Sequence, residues 1–277
     1  MKFLLIILPL VLALCAEATE WHAHYRMTSD EYQSTAEYYV DQGYRIKSVS
    51  GYARDNEDNY AAIFEKNTNG LTWVSHHRMT STSYQAKFDK YIADGYRLRQ
   101  VNGYTVDGTV YFAAIWDKSP APGPWVARHN IDGPSLQKYT DAYIEQGYRV
   151  ADVSAYEVDG KARFAAIWEK VDDGNAWWAW ASMTASDYQA KFDKYLKDGY
   201  RLTDVSGYAI GSKVYYAAIW DTSAASGAWV ARHGMDSPTF QSLFNKYKAE
   251  GYVLEVLSGY NTGTADRYAA VWIKPSA

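Results

Sequence analysis

Five tryptophans, Trp21, Trp73, Trp125, Trp177 and Trp229, stand 52 residues apart with no insertion or deletion between any two. Gly43, Gly95, Gly147, Gly199 and Gly251 keep the same interval, and so do Tyr52, Tyr104, Tyr156, Tyr208 and Tyr260. A fixed period near 50 residues is the signature of a solenoid, propeller or array, in which no unit buries its apolar face alone. The units run over 21–66, 73–118, 125–170, 177–222 and 229–274. The segments between them, such as Ser119 to Pro124, are six residues long. Connections that short force neighbouring units to touch.

Local signals agree from unit to unit. Trp229 to Met235 reads as a short strand. Thr28 with Glu31 predicts a capping box, and Thr184 with Asp187 a similar helix start. Tyr84, Phe88 and Tyr91 recur at i, i+4 and i+7, the apolar stripe of an amphipathic helix. Gly95 then falls where a helix needs a left-handed cap. Tyr96 to Val101 reads as a strand, and Asp107-Gly108 and Asp159-Gly160 are hairpin turns into the strands Tyr111–Trp116 and Phe164–Trp168. The predicted fold class is an α+β repeat protein of five β-α-β-β units. Unit one begins at Trp21 and unit five ends at Lys274, which leaves nothing to cap an open stack. Closure into a five-bladed α/β propeller-like ring is therefore expected, with an open solenoid as the alternative.

Residues 1–18 read as a signal peptide and 19–277 as a single repeat domain. Lys2 is followed by an apolar run from Phe3 to Leu14 and a small-x-small cleavage site at Ala16-Glu17-Ala18. The run is too short to span a bilayer, so a secreted, extracellular protein without a transmembrane segment is expected. Cys15 is the only cysteine and would leave with the signal. The mature chain would then have no disulfide, thiolate metal site or cysteine nucleophile. A net charge of −4 argues against a nucleic-acid partner. No cofactor is implied, and no metal site beyond the weak pair His22-Ala-His24.

Laid over one another, the units supply five versions of each position. Arg45, Arg97, Arg149 and Arg201 recur in one column, and Glu65, Asp117, Glu169 and Asp221 in another. Unit five replaces both, with Val253 and Ile273. Loss of the two together predicts structural cross-strand ion pairs. The last strand carries an Ala-Ala pair in every unit, Ala61-Ala62 to Ala269-Ala270, which would let packed layers approach closely. Trp116, Trp168, Trp220 and Trp272, with Phe64 in unit one, are expected to fill the core.

The first strand varies most. It carries His24-Tyr25, His76-His77, Arg128-His129, Trp180-Ala181 and Arg232-His233 in successive units. In a closed ring such a column is expected to converge near the axis. His24, His76, His77, Arg128, His129, Arg232, His233 and Trp180 are thus the ligand-binding candidates, with a hydrogen bond from each His to a neighbouring blade as the competing reading.

Several segments carry a resemblance. Trp-Val-Ala-Arg-His at 125–129 and 229–233 is one, and Tyr-Gln-Ala-Lys-Phe-Asp at 84–89 and 188–193 another. Gly-Tyr-Arg-Leu at 95–98 and 199–202 and Tyr-Ala-Ala-Ile-Trp at 216–220 complete the set. Together they resemble the bacterial tandem repeat domain that also forms the N-terminal region of fungal polyglycine hydrolases. In those enzymes the repeats precede a serine hydrolase domain of β-lactamase type with a catalytic Ser-x-x-Lys, and that domain is absent here. Ser135-Leu-Gln-Lys138 matches the motif literally, but it lies on the repeat helix and has no counterpart in the other units. The resemblance implies the accessory part alone, with no catalytic residue. The expected function is a secreted non-catalytic binding or structural module whose partner is a glycan or an extracellular protein or peptide. The alternatives are an enzyme of unfamiliar type with one His/Arg site near the ring axis, and an extracellular matrix or coat component.

Overall fold

The computed structural model describes residues 20–225, 227–263 and 265–276, so the expected signal segment and Cys15 lie outside the described residues. Unit one comprises β1 (Trp21–Thr28), α1 (Ser29–Asp41), β2 (Tyr44–Arg54) and β3 (Glu57–Lys66). Unit two has β4 (Trp73–Met79), α2 (Ser81–Ala93), β5 (Arg97–Val106) and β6 (Thr109–Asp117). Unit three has β7 (Trp125–Ile131), α3 (Gly133–Ile144), β8 (Tyr148–Val158) and β9 (Lys161–Lys170). Unit four has β10 (Trp177–Thr184), α4 (Ala185–Lys197), β11 (Arg201–Ile210) and β12 (Lys213–Asp221). Unit five has β13 (Trp229–Met235), α5 (Ser237–Ala249), β14 (Val253–Asn261) and β15 (Asp266–Ile273).

The helices start and stop as their caps dictate. The Glu31 N–H donates to Thr28 Oγ1, and the Glu31 carboxylate accepts from the Thr28 N–H, which completes the capping box. Asp132 and Asp236 cap α3 and α5, each followed by a proline in the first turn, where its missing N–H costs nothing. Past each helix end a glycine sits at positive φ, Gly95 at +80° among them, a backbone state that any Cβ would strain.

Each unit folds into its own three-stranded antiparallel sheet, in the order first, third, second strand. The third strand is therefore central, and its two faces do different work. In unit one Tyr60, Ala62 and Phe64 pack on Tyr32, Ala36 and Tyr39 of α1 and on Ala113 and Ile115 of unit two. The alternate residues Ala61 and Ile63 face the other way, into Phe240, Tyr247 and Trp272 of unit five. The Ala-Ala pair thus gives one small side chain to each face, and the facing sheets close on it. Trp116, Trp168, Trp220, Trp272 and Phe64 are fully buried between layers.

The second strands meet one another about a common axis, and side chains rather than a shared sheet join them. The Gly51 N–H donates to Asn102 Oδ1 at 2.7 Å, and the Gly103 N–H to Ser154 Oγ at 3.0 Å. The Ala155 N–H reaches Ser206 Oγ at 3.1 Å, and the Gly207 N–H reaches Ser258 Oγ at 3.0 Å. The series continues from unit five to unit one, where the Gly259 N–H donates to Ser50 Oγ at 3.0 Å. Further contacts repeat the same relation. Tyr52 packs on Gly259 as Tyr104 packs on Gly51, so closely that a Cβ on either glycine would fall within 3.0 Å of the ring. Trp21 meets Phe244 of α5 at 5.6 Å, much as Trp125 meets Phe88 of α2 at 6.0 Å. The start of unit one and the end of unit five lie together, with Trp21, Ile273 and Pro275 lining one small cavity.

A buried N–H that loses its acceptor costs about 1–3 kcal/mol. Ser258→Ala leaves the Gly207 N–H without a partner and should lower stability by about that amount. Urea unfolding monitored by circular dichroism would register it as a lower midpoint. An unchanged midpoint would mean that the serine is not needed there.

Candidate functional site

The first strands stand at the edge of each sheet away from the second strands, so the axis lies on the opposite side from the histidine column. The expected convergence of His24, His76, His77, Arg128, His129, Trp180, Arg232 and His233 near the axis is therefore corrected. The helix that follows each first strand carries the chain across before the second strand forms, which makes the first strand an outer edge.

A bulge sorts the column into two faces. Register breaks after His24, His76, Arg128, Trp180 and Arg232. Arg26, Arg78, Asn130, Ser182 and Gly234, two residues on, all have positive φ. The first residue of each pair turns onto its own helix. His24 Nε2 lies 2.9 Å from Tyr39 Oη, and His76 Nε2 lies 2.6 Å from Tyr91 Oη. Arg128 donates to Tyr143 Oη at 3.1 Å, and the Trp180 indole N–H to Tyr195 Oη at 2.7 Å. Arg232 lies over the Tyr247 ring.

The second residue turns to the preceding unit. His77 Nε2 lies 3.1 Å from Ser29 Oγ, and His129 Nε2 lies 3.1 Å from Ser81 Oγ. Tyr25 donates to Gln241 Oε1, and His233 packs its ring edge-on against Tyr188. Burial pulls the pKa of His24, His77, His129 and His233 below the ordinary imidazole value, and that of His76 down to about 4. These rings are neutral near pH 7, so they serve as hydrogen-bonding groups. Permanent positive charge in the column comes from Arg128 and Arg232.

The axis itself holds residues outside the expected ligand-binding column. A narrow channel runs between Val49, Gln100, Asp152, Asp204 and Val256 and the serine layer beside them. It adjoins a bowl of about 740 Å³ lined by all five units. Tyr52, Tyr104, Tyr156, Tyr208 and Tyr260 form its floor with the residues before them, glycine in four units and Ala155 in unit three. Its rim includes Arg54, Asp55, Glu157 and Asn261. Arg26 on the rim pairs with Asp266 at 3.1 Å. The available signal was the recurring small-polar, small, Tyr triplet, Ser-Gly-Tyr at 50–52, 206–208 and 258–260.

Two acids face the channel. The Val101 N–H donates to Asp152 Oδ2 and the Val153 N–H to Asp204 Oδ2, each at 3.1 Å. Burial raises both carboxyls, Asp204 to about 6 and Asp152 well above the usual range, where the Asp204 charge adds to the effect.

The arginine and acid columns are cross-strand neighbours throughout, with Val253 opposite Ile273 in unit five. Arg45 pairs with Glu65, and Arg201 reaches Asp221 at 3.6 Å. Two expected pairs are corrected. Arg97 reaches across to Glu169 of unit three rather than to Asp117, which lies 3.5 Å from Arg99. Arg149 turns to Asp173 at 2.9 Å. A long guanidinium stem lets each arginine choose a carboxylate beyond its own strand pair. Among the described residues no three His, Cys, Asp or Glu side chains gather to hold a metal.

Asp204 supplies a pH test. Above about pH 4 an unfolded aspartate is ionised, whereas the folded group keeps its proton up to about 6. The native state then binds more protons, so this group's contribution to stability falls as pH rises through that window. Asp204→Asn should raise stability near pH 7.5 by on the order of 1–2 kcal/mol and change it little near pH 4, read from thermal unfolding at the two pH values. Equal effects at both would contradict a raised carboxyl.

The model of the polyglycine hydrolase-like structural repeat matches the chain five times, over residues 18–67, 70–119, 122–171, 174–223 and 226–275. These windows coincide with the five β-α-β-β units, and the chain belongs to the polyglycine hydrolase-like structural repeat family.

Proposed function

We propose that this protein is a secreted, non-catalytic binding module that holds a carbohydrate or an extended peptide on the outward faces of its first strands. One observation carries the reading. The outward position changes from His24 and His76 to Arg128, Trp180 and Arg232, while the helix tyrosine beneath it is kept as Tyr39, Tyr91, Tyr143, Tyr195 and Tyr247. A constant support under a varied side chain is what a recognition surface needs, whereas a packing position would vary in concert with its partner. Five such faces on one scaffold would let weak sites act together wherever a ligand spans two of them.

Export rests on the leader-like segment Met1 to Ala18, and among the described residues no helix is long and apolar enough to cross a membrane. A catalytic site at the axis has less support. The histidines stand on the outer strands, and Asp152 and Asp204 face a channel with room for about one water molecule.

The two faces of the column separate recognition from folding. Joint replacement of His24, His76, Arg128, Trp180 and Arg232 by Ala should abolish capture on a glycan and peptide array with a modest fall in melting temperature. Replacement of His77, His129 and His233 should lower the melting temperature by several degrees and leave capture by the folded fraction intact. The reverse pattern would overturn the proposal.

A further inference from the structure

Unit four differs from its sisters at two positions on one strand. Trp178 and Trp180 sit two residues apart on β10 and so share a face. Both are large and open to solvent, Trp178 at 45% and Trp180 at 39% exposure. The position of Trp178 is filled by Val74, Val126 and Val230 in units two, three and five, where the same sheet and helix pack without an indole. Packing alone therefore does not require Trp178. Its exposed ring forfeits burial that a smaller residue would not need.

The ring planes are set in order. Trp178 and Trp180 lie 6.4 Å apart between centroids and 21° from parallel. Trp178 and Tyr195 lie 5.8 Å apart and 15° from parallel. Tyr195 is buried in α4, and its hydroxyl accepts the Trp180 indole N–H at 2.7 Å, which fixes that ring. Lys191, one helical turn earlier on α4, holds its ammonium 3.3 Å from the centre of the Trp180 ring.

We infer that this face is a carbohydrate-binding site, a specific assignment that rests on the binding-module reading above. A pyranose ring presents a flat patch of C–H groups on one side and hydroxyls around its edge. The first matches a fixed indole face, and the second needs mobile donors at the margin. Trp178 and the Trp180 face not covered by Lys191 supply the surface, and the Lys191 ammonium can turn from the ring to a sugar hydroxyl. The bond of Trp180 to the buried Tyr195 lowers the ordering cost of binding. A peptide strand would instead bond to the free backbone edge of β10, for which the indoles are not needed. Units two, three and five, with valine at the first position, offer no second ring beside their outward residue. Unit one places only the smaller imidazole of His22 there, stacked on Tyr39.

The test uses the full mature chain, pull-down on microcrystalline cellulose and chitin beads, and an array of soluble oligosaccharides. Trp178→Val combined with Trp180→His gives unit four the surface pair of unit two, so the variant is expected to fold with an unchanged circular dichroism spectrum. The parent should be retained by at least one glycan, and the double variant should bind it at least about tenfold more weakly, a loss of about 1.4 kcal/mol. Leu196→Ala, which removes another exposed apolar side chain of α4, should bind as the parent does. Equal retention of parent and double variant would overturn the site and leave the module reading standing. Parent binding to peptides but to no glycan would overturn the carbohydrate assignment alone. No binding to either class would sink both.

Discussion

The inner strands of this protein run side by side without forming a common sheet, so each leaves a backbone N–H facing its neighbour that must find an acceptor. That requirement is met by one small polar side chain per unit, Asn102, Ser154, Ser206, Ser258 and Ser50, each accepting from the unit before it. A serine at this place in one unit is therefore useful only if another unit stands beside it. The glycine–tyrosine contact next to it has the same logic, because the missing Cβ of Gly51 or Gly259 is the space into which the next tyrosine fits. Neither feature stabilises an isolated unit. Together they explain why the period admits no insertion.

The five interfaces are alike in backbone and unlike in polarity. Between units one and two, Tyr60 donates to Asp58 and meets the Tyr104 hydroxyl, with Arg78 beside Asp58. The same set, Asp266, Tyr268, Tyr52 and Arg26, recurs between units five and one. Between units four and five the Tyr216–Tyr260 pair remains, with Val214 and Gly234 where the acid and the arginine stand in that set. Phe112 and Phe164 take the place of the first tyrosine at the remaining two. Where Ala155 replaces the glycine, Tyr208 turns its hydroxyl to Ser182 Oγ instead of accepting a bulge N–H, as Tyr52 does from Arg26. The packing thus accommodates one methyl group by giving up one backbone hydrogen bond. Unit one is flanked by the two most elaborate polar networks, one of them shared with the last unit.

The order of elements was legible because it depends on local chemistry. Thr28 with Glu31, the apolar spacing of Tyr84, Phe88 and Tyr91, and the glycine at 95 each act within a few residues of chain. The buried fate of Trp116 and of the Ala-Ala pair could be read for the same reason. What sequence alone did not convey was the order of strands within a sheet. The same β-α-β-β string puts either the first or the second strand at the axis, depending on which side of the third strand each one pairs. Choosing the first strand sent the histidine column to the centre, whereas the second strand and its Ser-Gly-Tyr triplets are there. Arg97 and Arg149 were misassigned for a related reason, since their nearest carboxylates belong to another unit or to a linker. The outward faces of the first strands lie within single units, yet which strand is outermost depends on the same pairing and could not be read from periodicity.

Scaffold and surface are separable in this molecule. The layer of small side chains and tyrosines that joins the units at the axis changes little from copy to copy. The outward residues of the first strands change from unit to unit, and each rests on the corresponding tyrosine of its own helix. Unit five meets unit one as any unit meets the next, and a circular permutant probes that junction without removing a contact. The permutant would begin at Trp73, with Ala277 joined to Glu20 through two added glycines. If all five junctions are equivalent, it should unfold cooperatively within a few degrees of the parent, because every interface survives. An unfolded permutant, or one that melts tens of degrees lower, would mean that the junction of units five and one is not equivalent to the other four.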